Sequence, residues 1–150
     1  MRDQGGPGRI IVAALLLAAA ASLTACGRED PAETRADIAA AETAAAKRTA
    51  EAREQAGDER SAAQHEAAGA LRDGEQTGGA AQASVARASA ESAHDVAVAQ
   101  AEGAHKVATE RCDALSGDAR RTCRERADLE LERARTAAKQ ARDAGTARAP

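Results

Sequence analysis

Cysteine and histidine side chains are the groups of this 150-residue chain best suited to chemistry, since they serve as nucleophiles, redox centres and metal ligands. The chain contains Cys26, Cys112, Cys123, His65, His94 and His105. His94 and His105 fall in one predicted helix, where eleven residues span about 16 Å, too far to share a metal ion. We therefore predict no metal site and no cofactor.

The sequence also lacks the arrangements on which catalysis depends. Enzymes need a preorganised pocket that excludes water, and we find no phosphate-binding loop, serine triad or scaffolded carboxylate pair. Catalytic redox pairs are normally Cys-x-x-Cys, whereas Cys112 and Cys123 lie eleven residues apart. The chain is predicted not to be an enzyme.

The composition favours helices without a globular core. There is no Phe, Trp or Tyr. Beyond residue 25 the large aliphatic residues are Ile38, Leu71, Val85, Val96, Val98, Val107, Leu115, Leu129 and Leu131. Alanine, the best helix former, fills much of the rest. We predict an all-α fold of extended, partly disordered alanine-rich helices.

The first 25 residues have the pattern of a secretory signal peptide. Residues 1–9 are polar and positively charged, and residues 10–21 are apolar, followed by small residues. Twelve apolar residues span about 18 Å as a helix, short of the roughly 30 Å hydrocarbon core. Ordinary secretion and a transmembrane anchor are the alternatives.

The end of this segment, Leu23-Thr24-Ala25-Cys26, resembles the lipobox of bacterial lipoproteins. The resemblance implies that the Cys26 thiol receives a diacylglycerol, that a peptidase cuts between Ala25 and Cys26, and that the new amine is acylated. Two or three acyl chains give stable membrane anchoring where one does not. In Gram-negative lipoproteins Asp at the next position favours the inner membrane, so Gly27 favours the outer one.

Helix start and stop signals divide the mature chain. Residues 26–30 form the lipidated N-terminus, and Asp30-Pro31 predicts a helical segment over 31–72 that weakens at Gly57. Glycines predict a flexible break over 73–79. A helical hairpin follows over 80–145, with its turn at Leu115–Asp118, Asp118 capping the second helix and Gly145 ending it before a tail, 146–150.

An eleven-residue repeat occupies the first helix of this hairpin. Residues 85–95 read VARASAESAHD and residues 96–106 read VAVAQAEGAHK. Eleven residues make three turns, so equivalent positions nearly superpose along a helix. The repeat predicts a straight helix with a fixed stripe through Val85, Val96 and Val107. It loosely resembles stress-related helical proteins of the late-embryogenesis-abundant type.

An exported chain meets an oxidising compartment, so Cys112 and Cys123 are expected to form a disulfide. The predicted turn lies midway between them, and the helix faces that carry the two cysteines consist largely of alanine, so antiparallel helices can approach closely. The register would pair Ala108 with Ala127, His105 with Glu130, Ala101 with Ala134, and Val98 with Ala137. His94 would sit at a solvated edge of the seam.

The segment from Cys112 to Cys123 is similar to one in small, alanine-rich, uncharacterised envelope proteins of proteobacteria. The shared pattern is Cys-Asp-x-Leu-x-Gly with a second Cys six residues after the Gly, and this chain meets it. The resemblance covers about 40 residues. It implies a periplasmic setting and no particular activity.

Charge is distributed unevenly. Residues 26–105 carry a balance of −7 and residues 106–150 one of +3, so the C-terminal third is the better candidate for anionic partners, although a solvated face of mixed ion pairs explains it as well. Nucleic acid is not expected as a partner, because acids interrupt the basic residues and no aromatic side chain exists to stack on a base.

These observations predict a lipoprotein anchored by acylated Cys26 on the periplasmic face of a membrane, with the outer membrane favoured. It would act as a structural helical spacer in the cell envelope, whose hairpin docks an envelope protein or self-associates. Two alternatives are a stress-protective, partly disordered coat protein and a small inhibitor or chaperone-like binder of a periplasmic protein.

Overall fold

A computed structural model describes residues 30–148, which form three helices joined by two short turns. Helix α1 spans Pro31–Arg72, α2 spans Gly78–Asp113 and α3 spans Gly117–Ala147. The predicted all-α fold is confirmed, and this part of the chain contains no strand. The predicted signal peptide and Cys26 lie outside the described residues.

The ends of α1 follow from local sequence. The Asp30 carboxylate accepts a hydrogen bond from the Ala32 backbone N–H at 2.7 Å, and Pro31 occupies the first helical position, as predicted. At the other end Gly74 takes a left-handed φ of 70°. The Glu75 N–H then bonds to the Ala70 carbonyl at 2.9 Å, which closes the helix with a Schellman motif.

Two of the predicted helix interruptions are wrong. Helix α1 runs unbroken through Gly57, because one glycine costs only about 1 kcal/mol relative to alanine and the packed helix tolerates it. Gly145 lies inside α3, where it packs against Ala90. Because Gly145 has no side chain, α3 can approach α2 closely at this point, and the residue does not end the helix.

Other boundaries differ by one or two residues. Helix α2 begins at Gly78 with Thr77 as N-cap, so the break covers 73–77 and not 73–79. Helix α3 begins after Ser116, so the predicted N-cap Asp118 lies in its first turn. Gly117 has the left-handed conformation expected at this turn, with a φ of 56°.

The three helices form a flat layer with α2 in the middle. Helix α1 packs along one side of α2 and α3 along the other, and α1 and α3 do not contact each other. At 100° per residue, the α2 positions that face α1, such as Ser92 and Gly103, lie on roughly the opposite side from Ala101 and Cys112, which face α3. The layer therefore encloses no common core.

Small residues at eleven-residue steps build both seams. The buried apolar residues of the described chain are seven alanines and Cys112. In the α1–α2 seam the recurring positions are Thr34, Ala45, Ala56 and Ala67 on α1, and Ala81, Ser92 and Gly103 on α2. In the α2–α3 seam they are Ala90, Ala101 and Cys112 on α2, and Cys123, Ala134 and Gly145 on α3. The eleven-residue repeat predicted for α2 thus corresponds to helix-packing positions, because it keeps a small side chain against each neighbour every three turns.

The seams fix which ends of the helices lie together. Ala45 packs on Gly103, and the Glu42 carboxylate accepts a hydrogen bond from Arg111 at 2.8 Å. The start of α1 and the α2–α3 turn therefore lie at one end of the layer, called here the proximal end. The α1–α2 turn lies at the other, called the distal end, about 60 Å away along α1.

Candidate functional site

The proximal end carries the disulfide. Cys112 and Cys123 are bonded, with their Cα atoms 5.6 Å apart, and Cys112 is fully buried. Both cysteines belong to the positions through which α2 and α3 pack. The alanine-lined seam brings the two helices close enough for the bond, and the predicted disulfide-clamped hairpin is present.

Arginines from α3 close the C-terminal end of α2 beside this bond. The Arg120 guanidinium donates to the backbone carbonyls of Leu115 at 2.7 Å and Asp113 at 3.0 Å. The Asp113 carboxylate accepts from Arg124 and is largely buried, with 14% of its side chain exposed. The carbonyls at a helix end need such donors, so these contacts lock the turn that the disulfide closes.

The histidine contact predicted across this hairpin is wrong in its partner. His105 Nε2 lies 2.7 Å from the Asp128 carboxylate, whereas Glu130 was expected. Glu130 lines the same cleft between α2 and α3 as His105. Asp128, one half-turn away, meets the imidazole from the other side of the seam. His94 Nδ1 lies 3.0 Å from Asp95 on its own helix.

The position of Asp128 gives a direct test of this contact. We expect Asp128→Asn to shift the His105 ring resonances in an NMR spectrum, since the imidazole loses the carboxylate that lies 2.7 Å from its Nε2. The cost in stability should be small, under about 0.5 kcal/mol, because the carboxylate is 70% exposed. Glu130→Gln is the matched control and should leave the His105 resonances in place; the reverse result would restore the Glu130 pairing.

One further charged contact, between Arg135 and Glu102, joins α3 to α2. Arg135 donates to Glu102 at 2.9 Å and to Glu132 at 3.2 Å. The hydrogen bond that Arg135 donates to Glu102, followed by the one it donates to Glu132, raises the pKa of Arg135 above its usual value. Since arginine is already fully charged, this contact fixes helix register and does not change with pH in the ordinary range.

The α1–α2 seam contains one buried polar contact. The Ser92 side chain is 1% exposed, and its hydroxyl donates to the Glu59 carboxylate at 2.8 Å. Gln55 donates to the other oxygen of Glu59 at 3.0 Å. A sliding of α1 along α2 would break the first bond and bury an unpaired hydroxyl, so Ser92 helps to fix the register.

At the distal end, the α1–α2 seam opens into a groove that we call the distal groove. It has a volume of about 450 Å³, and none of its nine lining residues is charged. Alanines form its floor, Leu71 and Val85 are its large aliphatic residues, and Gln64 and Gln82 supply polar groups. Four other clefts within residues 30–148 each include at least one charged side chain.

The distal groove was not predicted from the sequence, because no sequence signal pairs α1 with α2. Leu71 and Val85 could have indicated it, because they are two of the nine large aliphatic residues and lie on opposite sides of the predicted break. Leu71 remains 45% exposed. In a chain with so few apolar side chains, an uncharged groove around two of them is the strongest candidate for an interaction surface.

Within 30–148, no group of three or more His, Cys, Asp or Glu side chains is placed to hold a metal ion. No helix in the same range has the length and apolar character needed to cross a membrane.

Comparison with known protein families, curated proteins and solved structures found no match to this chain.

Proposed function

We propose that this protein is a membrane-anchored periplasmic lipoprotein that acts as a helical spacer and interaction protein in the cell envelope. The observation that carries the proposal is the lipobox, Leu23-Thr24-Ala25-Cys26, which ends only four residues before the cap of α1. An acyl anchor at Cys26 would continue almost directly into a helix of 42 residues, about 63 Å long.

The disulfide also supports a location in the periplasm. Structural disulfides persist in oxidising environments such as the bacterial periplasm and are rare in the cytosol. The Cys112–Cys123 bond lies in a closely packed seam and is supported by arginine contacts at the turn. These features are consistent with a permanent structural bond in an exported protein.

The arrangement of the helices suggests how the spacer would stand. Three residues lie between Cys26 and Asp30, and the four Cα–Cα steps from one to the other reach only about 14 Å even when fully extended. The disulfide turn at the proximal end would therefore lie close to the lipid surface. The distal groove would be held about 60 Å further out, where it is free to meet a partner.

Lipidation is the step to test first. We expect the wild-type chain, expressed in a bacterium, to take up labelled palmitate and to fractionate with membranes. Its intact mass should correspond to an acylated polypeptide that begins at Cys26, and a tryptic digest without reductant should contain Cys112 linked to Cys123.

Two substitutions test whether Cys26 is the residue that is acylated. Cys26→Ser removes the acceptor thiol and should abolish labelling, while Ser22→Ala, just upstream of the lipobox, should leave it unchanged. Labelling that persists in the Cys26→Ser chain, or a mature chain that begins elsewhere without acyl mass, would rule out the lipoprotein.

A further inference from the structure

We propose that the distal groove binds a second copy of this chain, so that two molecules associate through their α1–α2 ends. This inference rests on the proposed role as an interaction protein and names its partner. It does not depend on the anchor at Cys26, and the two can therefore fail separately.

The first observation is the chemistry of the groove. About 30% of the residues in the whole chain are charged, yet none of the nine residues that line the distal groove is. Depletion of charge is the usual property of the centre of a protein interface. A charged or strongly polar ligand would find no counter-ion in this lining, so the occupant has to present an uncharged, apolar surface.

The second observation is continuity with an existing interface. The groove is the open end of the seam through which α1 and α2 already pack, and its lining includes Ala67 and Ala81, two of the small residues at eleven-residue steps. The occupant that fits such a surface is a helix face with small residues and isolated aliphatic ones. The helices of this chain have that character.

The third observation is the position of α3. Gly145 packs against Ala90 and α3 ends two residues later, so the first turns of α2 lack the helix that covers the rest of it. The distal end of the layer therefore consists of two helices where the remainder has three. Among residues 30–148, no third helix stands in the way of a second molecule at this end.

The fourth observation is that an exposed leucine lies beside a recess lined by small residues. A dimer with a two-fold axis requires one surface to contain both the protrusion and the recess that receives it. Leu71 protrudes at 45% exposure, and the neighbouring Ala68, Gly78 and Ala81 have side chains small enough to leave a recess. Each Leu71 would thus pack into the recess of the other copy. The contact is small, so the dimer should be weak and reversible.

Disulfide cross-linking in cells tests this contact in the full chain. Leu71→Cys, placed in a Cys26→Ser background, should give a cross-linked dimer of about twice 15.3 kDa on a non-reducing gel after mild oxidation. Leu129→Cys is the matched control, because Leu129 is more exposed, at 58%, but lies on α3 away from the groove. We expect at least fivefold less dimer from the control.

A second pair of substitutions separates docking from chance collision. Adding Ala68→Glu places a charge in the groove and should reduce cross-linking through position 71 at least fivefold. Ala62→Glu adds the same charge at an exposed position outside the groove and should not. Circular dichroism of the purified variants should show unchanged helicity, since both alanines are exposed.

The opposite outcomes are equally clear. Equal cross-linking from positions 71 and 129, no dimer from either, or insensitivity to Ala68→Glu would overturn the proposal. A cross-linked band of another mass would also overturn it, because the occupant would then be a different protein. Palmitate labelling of Cys26 is scored separately, so a missing anchor would leave this result intact.

Discussion

Replacing both cysteines, Cys112→Ala and Cys123→Ala, is expected to lower the free energy of unfolding by about 2–3 kcal/mol, or roughly 10 °C in the melting temperature. The bond closes a loop of eleven residues at the end of a seam built from alanines. Such a seam buries little apolar area per residue, so restricting the unfolded chain contributes an unusually large share of stability.

The loss of stability should first affect the helix ends next to the disulfide. Hydrogen exchange should accelerate in the first turns of α3 and the last turns of α2, while the α1–α2 seam keeps its protection. Arg120 and Arg124 still bridge the turn in the variant, so α3 should remain docked at low temperature.

Reductant provides the control for this experiment. It should destabilise the wild-type chain by a similar amount and have no effect on the double alanine variant. A wild-type melting temperature that does not change on complete reduction would show that the disulfide contributes nothing measurable to the fold.

The second large effect is expected at Gly103. A Cβ atom at this position would lie 2.8 Å from the Cβ of Ala45 and 3.3 Å from its Cα, closer than packed carbon atoms approach. Gly103→Ala should therefore push α1 away from α2 and destabilise the protein by about 1–2 kcal/mol, despite the better helix propensity of alanine.

Gly57→Ala is the matched control, because a Cβ at Gly57 would have no neighbour within 4 Å. In Gly57→Ala only the higher helix propensity of alanine acts, so we expect the free energy of unfolding to rise by about 0.5–1 kcal/mol. Chemical denaturation monitored by circular dichroism measures both changes, which should have opposite signs.

A double substitution identifies the cause. Ala45→Gly removes the opposing methyl group and should restore at least half of the stability lost in Gly103→Ala, a coupling expected only for residues in direct contact. If the two substitutions are additive, or if Gly103→Ala stabilises the chain, α1 and α2 are not in the register described.

The composition alone determined that this protein is helical and has no globular core. Alanine interspersed with Glu, Gln and Arg favours helices locally, and nine large aliphatic residues cannot fill a multilayer interior. Capping at Asp30-Pro31 and the turn between Cys112 and Cys123 could also be predicted, because these signals act within a few residues. The disulfide could be predicted as well, from the oxidising compartment expected for an exported chain together with two cysteines placed evenly about a predicted turn.

Only the tertiary structure decided how α1 packs on α2 and which charged side chains meet across the α2–α3 seam. In an alanine-rich helix nearly every face can pack, so the sequence contains no apolar stripe strong enough to show that α1 lies along α2 or on which side. The choice of Asp128 over Glu130 as the partner of His105 depends on a rotation of α3 that periodicity does not fix. The packing of Gly103 and Gly145, and the distal groove around Leu71 and Val85, likewise follow from contacts between residues distant in sequence, because close approach is a property of two helices together.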